Sequence, residues 1–323
     1  MDPQESGGGV KMNQIYRKRS FWSLAGPLLG YLGIQFAVQF AAQFVIEMPY
    51  IMQAYAKVLR GSGDTVPSMQ ELMESSMQAL GPAFEAVARH QVEITALSAL
   101  GTIILTGILF ARDRKSEQKA GIILPEKAQL SKYWTVIIFG IAGCIAATCL
   151  MAMVQLAFYD EQYQQTAQIT YSAGFPVQVI GLGVVIPVAE ELMFRGILYK
   201  RFRERQGFWY SAVWSALLFS LMHSSTTQMI YAFLLGLLLS YLYEKFASFK
   251  APVLLHILLN TGSVVFTELG VFRWLASDPM RMAAAVIAGA FLCSAMFVMI
   301  QKMPVSIKAQ NCADDSDRTD MFS

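Results

Sequence analysis

Residues 187–205 read PVAEELMFRGILYKRFRER, where adjacent carboxylates, Glu190 and Glu191, follow a long uncharged apolar run that begins near Phe175. A charged side chain at mid-bilayer costs roughly 2.5 kcal/mol or more, so an ionisable group there is expected to serve function. On a helix, Glu191 and Arg195 lie four positions apart with the acid first, the favourable order for an ion pair. Glu190 is rotated by about 100° and shares its face with Phe194. One glutamate can be neutralised by the arginine while the other stays free for chemistry.

Outward from that stretch the chain is apolar throughout. Of its 323 residues, 55% are hydrophobic and 15% charged, the formal net charge is +2, and the mean hydropathy is +0.43. The hydrophobic residues fall in long blocks, which implies an all-α polytopic membrane protein. Basic residues sit in short segments beside these blocks and read as topology signals, which excludes nucleic acid as a partner. Cys144, Cys149 and Cys293 lie in expected spans, Cys312 lies in the tail, and no CxxC pair occurs. Neither a disulfide nor a thiolate metal site is expected. The apolar run from Phe21 to Ile46, about 26 residues, exceeds a signal-peptide core of about 7 to 15. It is expected to remain as the first span.

Further spans are expected at Val92–Ala111, Tyr133–Phe158, Phe175–Arg205, Phe208–His223, Met229–Tyr243, Pro252–Thr267 and Met282–Ile300, about eight in all. Lys11, Arg17, Lys18 and Arg19, the loop from Arg112 to Lys132, and Lys302 with Lys308 place both termini in the cytoplasm. The style of the chain suggests a bacterial cell membrane. Glu47 to Gln91 is expected to form an external loop in which residues 69–90, MQELMESSMQALGPAFEAVARH, make an amphipathic helix with His90 on the surface. The Lys200–Arg205 run reads as a topology signal and lipid-headgroup anchor. Four regions follow: a cytoplasmic segment at 1–20, two spans with their loops at 21–132, a membrane core at 133–300 and a polar cytoplasmic tail at 301–323.

Two further pairs share helical faces. His223 follows Phe219 by four, and His256 precedes Asn260 by four. With a turn at Gln206 and Gly207, Glu190 and His223 each lie about 16 residues from it, roughly 25 Å along neighbouring antiparallel helices. They can meet at one level of an intramembrane cavity. His256, about six residues beyond Lys250, is expected to sit shallower. A carboxylate beside a histidine can share a proton and activate water as general base, and Asn260 with His256 offers donors to an oxyanion. The sum is hydrolysis of an acyl bond, and neither GxSxG nor HExxH competes with it.

EExxxR at Glu190, Glu191 and Arg195, FxxxH at Phe219 and His223, and HxxxN at His256 and Asn260 resemble the three motifs of the CPBP family. That family comprises the type II CAAX prenyl endopeptidases and the bacterial Abi proteins, and the resemblance covers roughly Pro187 to Gly262. It implies an intramembrane endopeptidase in which Glu190 and His223 activate water while His256 and Asn260 stabilise the oxyanion. Glu191 would assist or orient, Arg195 would hold the motif together, and Phe219 would supply shape. Catalysis without a cofactor is favoured, with zinc on Glu190, His223 and His256 as the alternative. The implied partners are membrane lipids and a peptide or membrane-protein substrate, prenylated CAAX proteins and Abi-type peptides among them. A non-catalytic membrane binding or immunity protein is a second reading. A proton-coupled transporter, a third, would be expected to show paired repeats, and none is found.

Overall fold

In a bilayer every backbone polar group must be satisfied within the protein, which for such a sequence leaves helices. The computed structural model describes residues 21–62, 66–122, 125–157 and 159–303, and helices account for its regular structure. Residues 1–20 and 304–323, which carry the expected N-terminal basic segment and most of the tail, lie outside the described residues, as does Phe158.

Helix α1, Trp22–Gly61, runs unbroken for 40 residues despite Pro27 and Pro49. The helix outlasts the expected span to Ile46, continuing for about four more turns past Glu47, its first charged residue, so 47–61 is helical where a loop was expected. At 1.5 Å per residue α1 is about 60 Å long, against a hydrocarbon core of about 30 Å. Helix α2, Met69–Arg89, folds back along the projecting half, with Ser75 Oγ donating to the Ala54 carbonyl at 3.1 Å. Its start is fixed by a reciprocal cap: Ser68 N–H donates to Glu71 Oε2 at 2.8 Å and Glu71 N–H to Ser68 Oγ at 3.2 Å. Ala83, Ala86 and Val87 face inward while Met69, Met73 and Met77 face out. This is the expected amphipathic helix, and the exposed His90 follows it.

The chain continues through α3 (Gln91–Lys119), α4 (Trp134–Ala157) and α5 (Glu161–Thr170), then the α6 rod (Phe175–Arg203) and α7 (Phe208–Ser220). Helices α8 (Thr226–Phe246), α9 (Lys250–Glu268), α10 (Val271–Ala276) and α11 (Pro279–Gln301) complete it. Among the described residues, seven helices are long and apolar enough to cross a membrane: α1, the 130–155 segment that includes most of α4, and α3, α6, α8, α9 and α11. The expected count of eight falls to seven because α7 has only 13 residues. At about 20 Å it spans part of the membrane thickness. Its apolar sequence runs on to Met222, yet the helix stops at Ser220, and His223 lies in the turn before the Ser225 cap of α8.

Helix α6 stands in the middle, against α3, α9, α7, α8 and α1. Met193, Phe194, Ile197 and Leu198 of α6 pack with Tyr31 of α1, Phe219 of α7 and Ala232 of α8. A second cluster, including Val136, Leu242, Phe246, Leu255 and Ile300, joins α4, α8, α9 and α11.

The basic end of α6 corrects another expectation. Lys200 and Arg201 are buried and face protein, not lipid headgroups. Arg201 donates to both oxygens of Asp113 (2.8 and 3.2 Å), and Lys200 Nζ lies 2.6 Å from Glu117 Oε1. Arg203 Nε and Tyr199 OH both donate to Glu244 Oε1, at 2.8 and 2.6 Å. Acids from α3 and α8 neutralise the run, so it can sink into the bundle.

Candidate active site

The motif helix is not a regular α-helix. Residues Gln178–Val185 and Leu192–Tyr199 wind as wider π turns on either side of the α-helical Ile186–Glu191 segment. The cause of the first is legible around Pro187. Proline has no N–H and its ring crowds the carbonyl four residues back, here Gly183. Ile186 N–H bonds Gly181 O, so the Leu182 carbonyl also loses its usual helical donor. Side chains of α9 serve both groups: Asn260 Nδ2 donates to Leu182 O at 3.1 Å and Thr261 Oγ1 to Gly183 O at 3.1 Å. Gly183 is needed for this approach, since a Cβ there would stand 2.6 Å from Thr261 Oγ1. In the second π stretch, Ser215 of α7 donates to the Phe194 carbonyl at 2.8 Å. The motif helices are thus pinned to one another through carbonyls that π turns release.

This pinning assembles the acidic and imidazole groups. Glu191 is fully buried, and its Oε1 accepts from Arg195 Nη1 and from His256 Nδ1, both at 2.9 Å. Arg195, also fully buried, reaches on to the Gly236 carbonyl at 3.1 Å and lies 4.6 Å from the Phe219 ring centroid. Glu190 keeps 18% of its side chain exposed, with Oε2 3.6 Å from His256 Nε2. His256 is thereby held between the two glutamates, level with both. The expectation that it sits shallower is corrected: α9 begins at Lys250, and His256 meets α6 at the depth of both acids.

Phe219 stands edge-on to both imidazoles, 5.0 Å from His223 and 5.8 Å from His256 between centroids. His223 Nδ1 contacts the Phe219 carbonyl at 3.2 Å. A carbonyl only accepts, so the proton is assigned to Nδ1 and Nε2 is left as an acceptor. Neither a hydrogen bond nor an ion pair joins Glu190 to His223 among the described residues; the direct partner of Glu190 is His256. Sequence reasoning missed Gly236 as the second acceptor of Arg195, Leu182 as the anchor of Asn260, and Tyr231, whose ring stands 6.3 Å from His223. The Gly-x-Gly-x₃-Pro run at 181–187 carried a signal for the second of these; nothing in the spacing marks the others.

Zinc on Glu190, His223 and His256 would have to bind through the two Nε2 atoms. Among the described residues no group of three or more His, Cys, Asp or Glu side chains is disposed to hold a metal ion, while the bonds at both Nδ1 atoms are of the kind that orients a histidine for a ligand at Nε2.

Residues 172–262, the segment that holds all three motifs, match the family model described as Type II CAAX prenyl endopeptidase Rce1-like. This match carries the likeness to the CPBP family, in a chain that is an integral, multi-pass membrane protein. It is also similar to the Bacillus subtilis (strain 168) protein named "Putative membrane peptidase YdiL", with 25% identity over 117 residues, 36% of this chain and 48% of that one. The chain thus covers about half the length of that relative. No solved structure matches.

Proposed function

We propose that this protein is an intramembrane endopeptidase that hydrolyses peptide bonds with water activated by Glu190. The observation that carries the reading is the division of labour between adjacent carboxylates: Glu191 is sealed by Arg195 and His256, while Glu190 stays partly exposed beside His256 Nε2. Glu190 Oε2 takes a proton from a water that His223 Nε2 orients, and the water oxygen attacks the scissile carbonyl carbon. His256, its tautomer fixed by the Nδ1–H bond to Glu191, has Nε2 free to hold that proton. As an imidazolium it becomes a donor that, with the second amide hydrogen of Asn260, faces the oxyanion. The proton then passes to the leaving amine as the C–N bond breaks. General acid–base work of this kind contributes about 10² to 10⁴ in rate, and one oxyanion donor about 10² to 10³. No step is routed through a metal.

The substrates proposed are membrane-associated peptides or proteins, prenylated CAAX sequences and Abi-type peptides among them, cleaved in a bacterial cell membrane. The test is cleavage of a quenched fluorogenic peptide library, some members ending in farnesyl-cysteine sequences, by purified protein with and without a strong chelator. Cleavage that survives the chelator and disappears in Glu190→Ala is expected. Activity that needs added zinc would overturn the metal-free mechanism, and full activity in Glu190→Ala would overturn the assignment of the base. No cleavage of any member would leave a non-catalytic binding or immunity protein as the better reading.

A further inference from the structure

Resting on the peptidase reading above, we propose that the substrate chain reaches Glu190 from the end of the bundle opposite Lys200–Arg203, through a well roofed by α5, and that α5 must lift to admit it. The other end is closed. Just beyond the motif glutamates, Met193, Phe194, Ile197 and Tyr199 are fully buried, and the pairs of Lys200, Arg201 and Arg203 with Glu117, Asp113 and Glu244 seal the bundle behind them.

Toward the opposite end the helices differ in length. Helix α7 stops about 20 Å from its start, while α6 extends from Glu190 back to Phe175, about 22 Å, and α9 extends from His256 to Glu268, about 18 Å. The turn at 221–225 is thus a sunken floor between taller walls. Ser224 on that floor is exposed, His223 beside it is half-buried, and Tyr231, whose ring stands 6.3 Å from His223, keeps 39% of its surface exposed.

Helix α5 covers this floor without being packed into it. It buries none of its residues, and side-chain hydrogen bonds hold it and the residues on either side. Asp160 Oδ2 accepts from Thr227 Oγ1 at 2.7 Å and from Thr227 N–H at 3.2 Å, Thr166 and Ser224 hydroxyls meet at 3.2 Å, and Tyr171 OH meets Ser263 Oγ at 2.8 Å. Water can replace each of these bonds, and little apolar area is lost when they break. Such a segment belongs to the low-stability end of a fold, from which moving covers are drawn.

The test locks the roof. Thr166→Cys with Ser224→Cys places two thiols where the hydroxyls now touch, and oxidised and reduced forms of one sample share a fold. In the same chain Tyr231→Cys, with Cys144, Cys149, Cys293 and Cys312 replaced by alanine, reports access to the floor by reaction with a membrane-impermeant maleimide in sealed vesicles. Gln206→Cys, in a separate variant, marks the Lys200–Arg203 side. Labelling at 231, read at that residue by peptide mapping so that the clamp thiols do not contribute, is expected from the side opposite Gln206→Cys, and to slow at least tenfold when the clamp is oxidised. Labelling that ignores the clamp, or comes from the Gln206 side, overturns the route. This readout does not depend on catalysis, so it separates the route from the peptidase reading. Should the cysteine-free chain fail to fold, the clamp pair is placed in the native background. Library-peptide cleavage is then expected to fall at least tenfold on oxidation and to return with reductant, whereas cleavage unchanged by the clamp overturns the proposal.

Discussion

Arg195 Nη2 donates to the carbonyl of Gly236, 3.1 Å away on α8, while Nη1 of the same guanidinium holds Glu191. The motif arginine is therefore a cross-brace between α6 and α8 as well as a counter-ion. Gly236 must be glycine for this: a Cβ would stand 2.8 Å from Ala216 Cβ and 3.1 Å from Arg195 Nη2. Gly236→Ala is expected to cost about 1–3 kcal/mol by overpacking. Thermal unfolding in detergent would show the loss, and cleavage should fall with it as Glu191 and His256 shift.

The adjacent glutamates should separate by readout. Glu190→Gln keeps the shape of a partly exposed side chain, so its unfolding temperature should stay near wild type while kcat falls about 10² to 10⁴. Glu191→Gln leaves the buried guanidinium without its counter-charge, and removal of one partner of a buried pair costs about 3–5 kcal/mol. Its unfolding temperature should therefore drop clearly. If both variants lost stability alike, Glu190 would be structural as well.

Much of this site was legible because its residues obey helical spacing: Glu191 with Arg195, Phe219 with His223, and His256 with Asn260 each lie four apart. The apolar blocks likewise announced a polytopic helical protein. What spacing could not show is where a uniformly apolar segment stops being a helix, and so α7 read as a full span. Partner choice was also hidden. The acids that neutralise Lys200 and Arg201 lie on α3, some eighty residues earlier in the chain, so a buried ion-pair network read as a headgroup anchor. The depth argument levelled Glu190 with His223 and left His256 shallower, but π turns and the start of α9 gave Glu190 to His256 instead of His223.

Asp160 gives α5, the strap over the 221–225 floor, a defined pH response. Its carboxylate is held below its ordinary value, first by the Thr227 hydroxyl and then by the Tyr163 N–H. A depressed folded value means the clip is fully present above the unfolded value, about 3.9, and is lost as pH falls through the lower folded value. Hydrogen exchange of α5, corrected for the intrinsic rate, is expected to be flat from about pH 5 to 8. Asp160→Asn should speed it several-fold at neutral pH. A wild-type exchange rate that rose steeply near pH 6 would mean another group holds the strap.

Pro187 sets stability against geometry at one position. In Pro187→Ala the new N–H can bond the Gly183 carbonyl, tighten the π turn and compete with the Thr261 hydroxyl that now binds there. An interior proline costs a helix about 3 kcal/mol, so the unfolding temperature should hold or rise. The same change draws Gly183 away from α9 and disturbs the neighbouring bond from Asn260 to Leu182 O, moving the Asn260 amide away from the oxyanion position. Cleavage should fall about tenfold or more, on the scale of a displaced oxyanion donor, and in kcat more than in KM. A variant both more stable and equally active would show that the released carbonyls play no part in placing the HxxxN motif. The expected split, a steadier helix with a slower enzyme, would mark the π turn as strain kept for function.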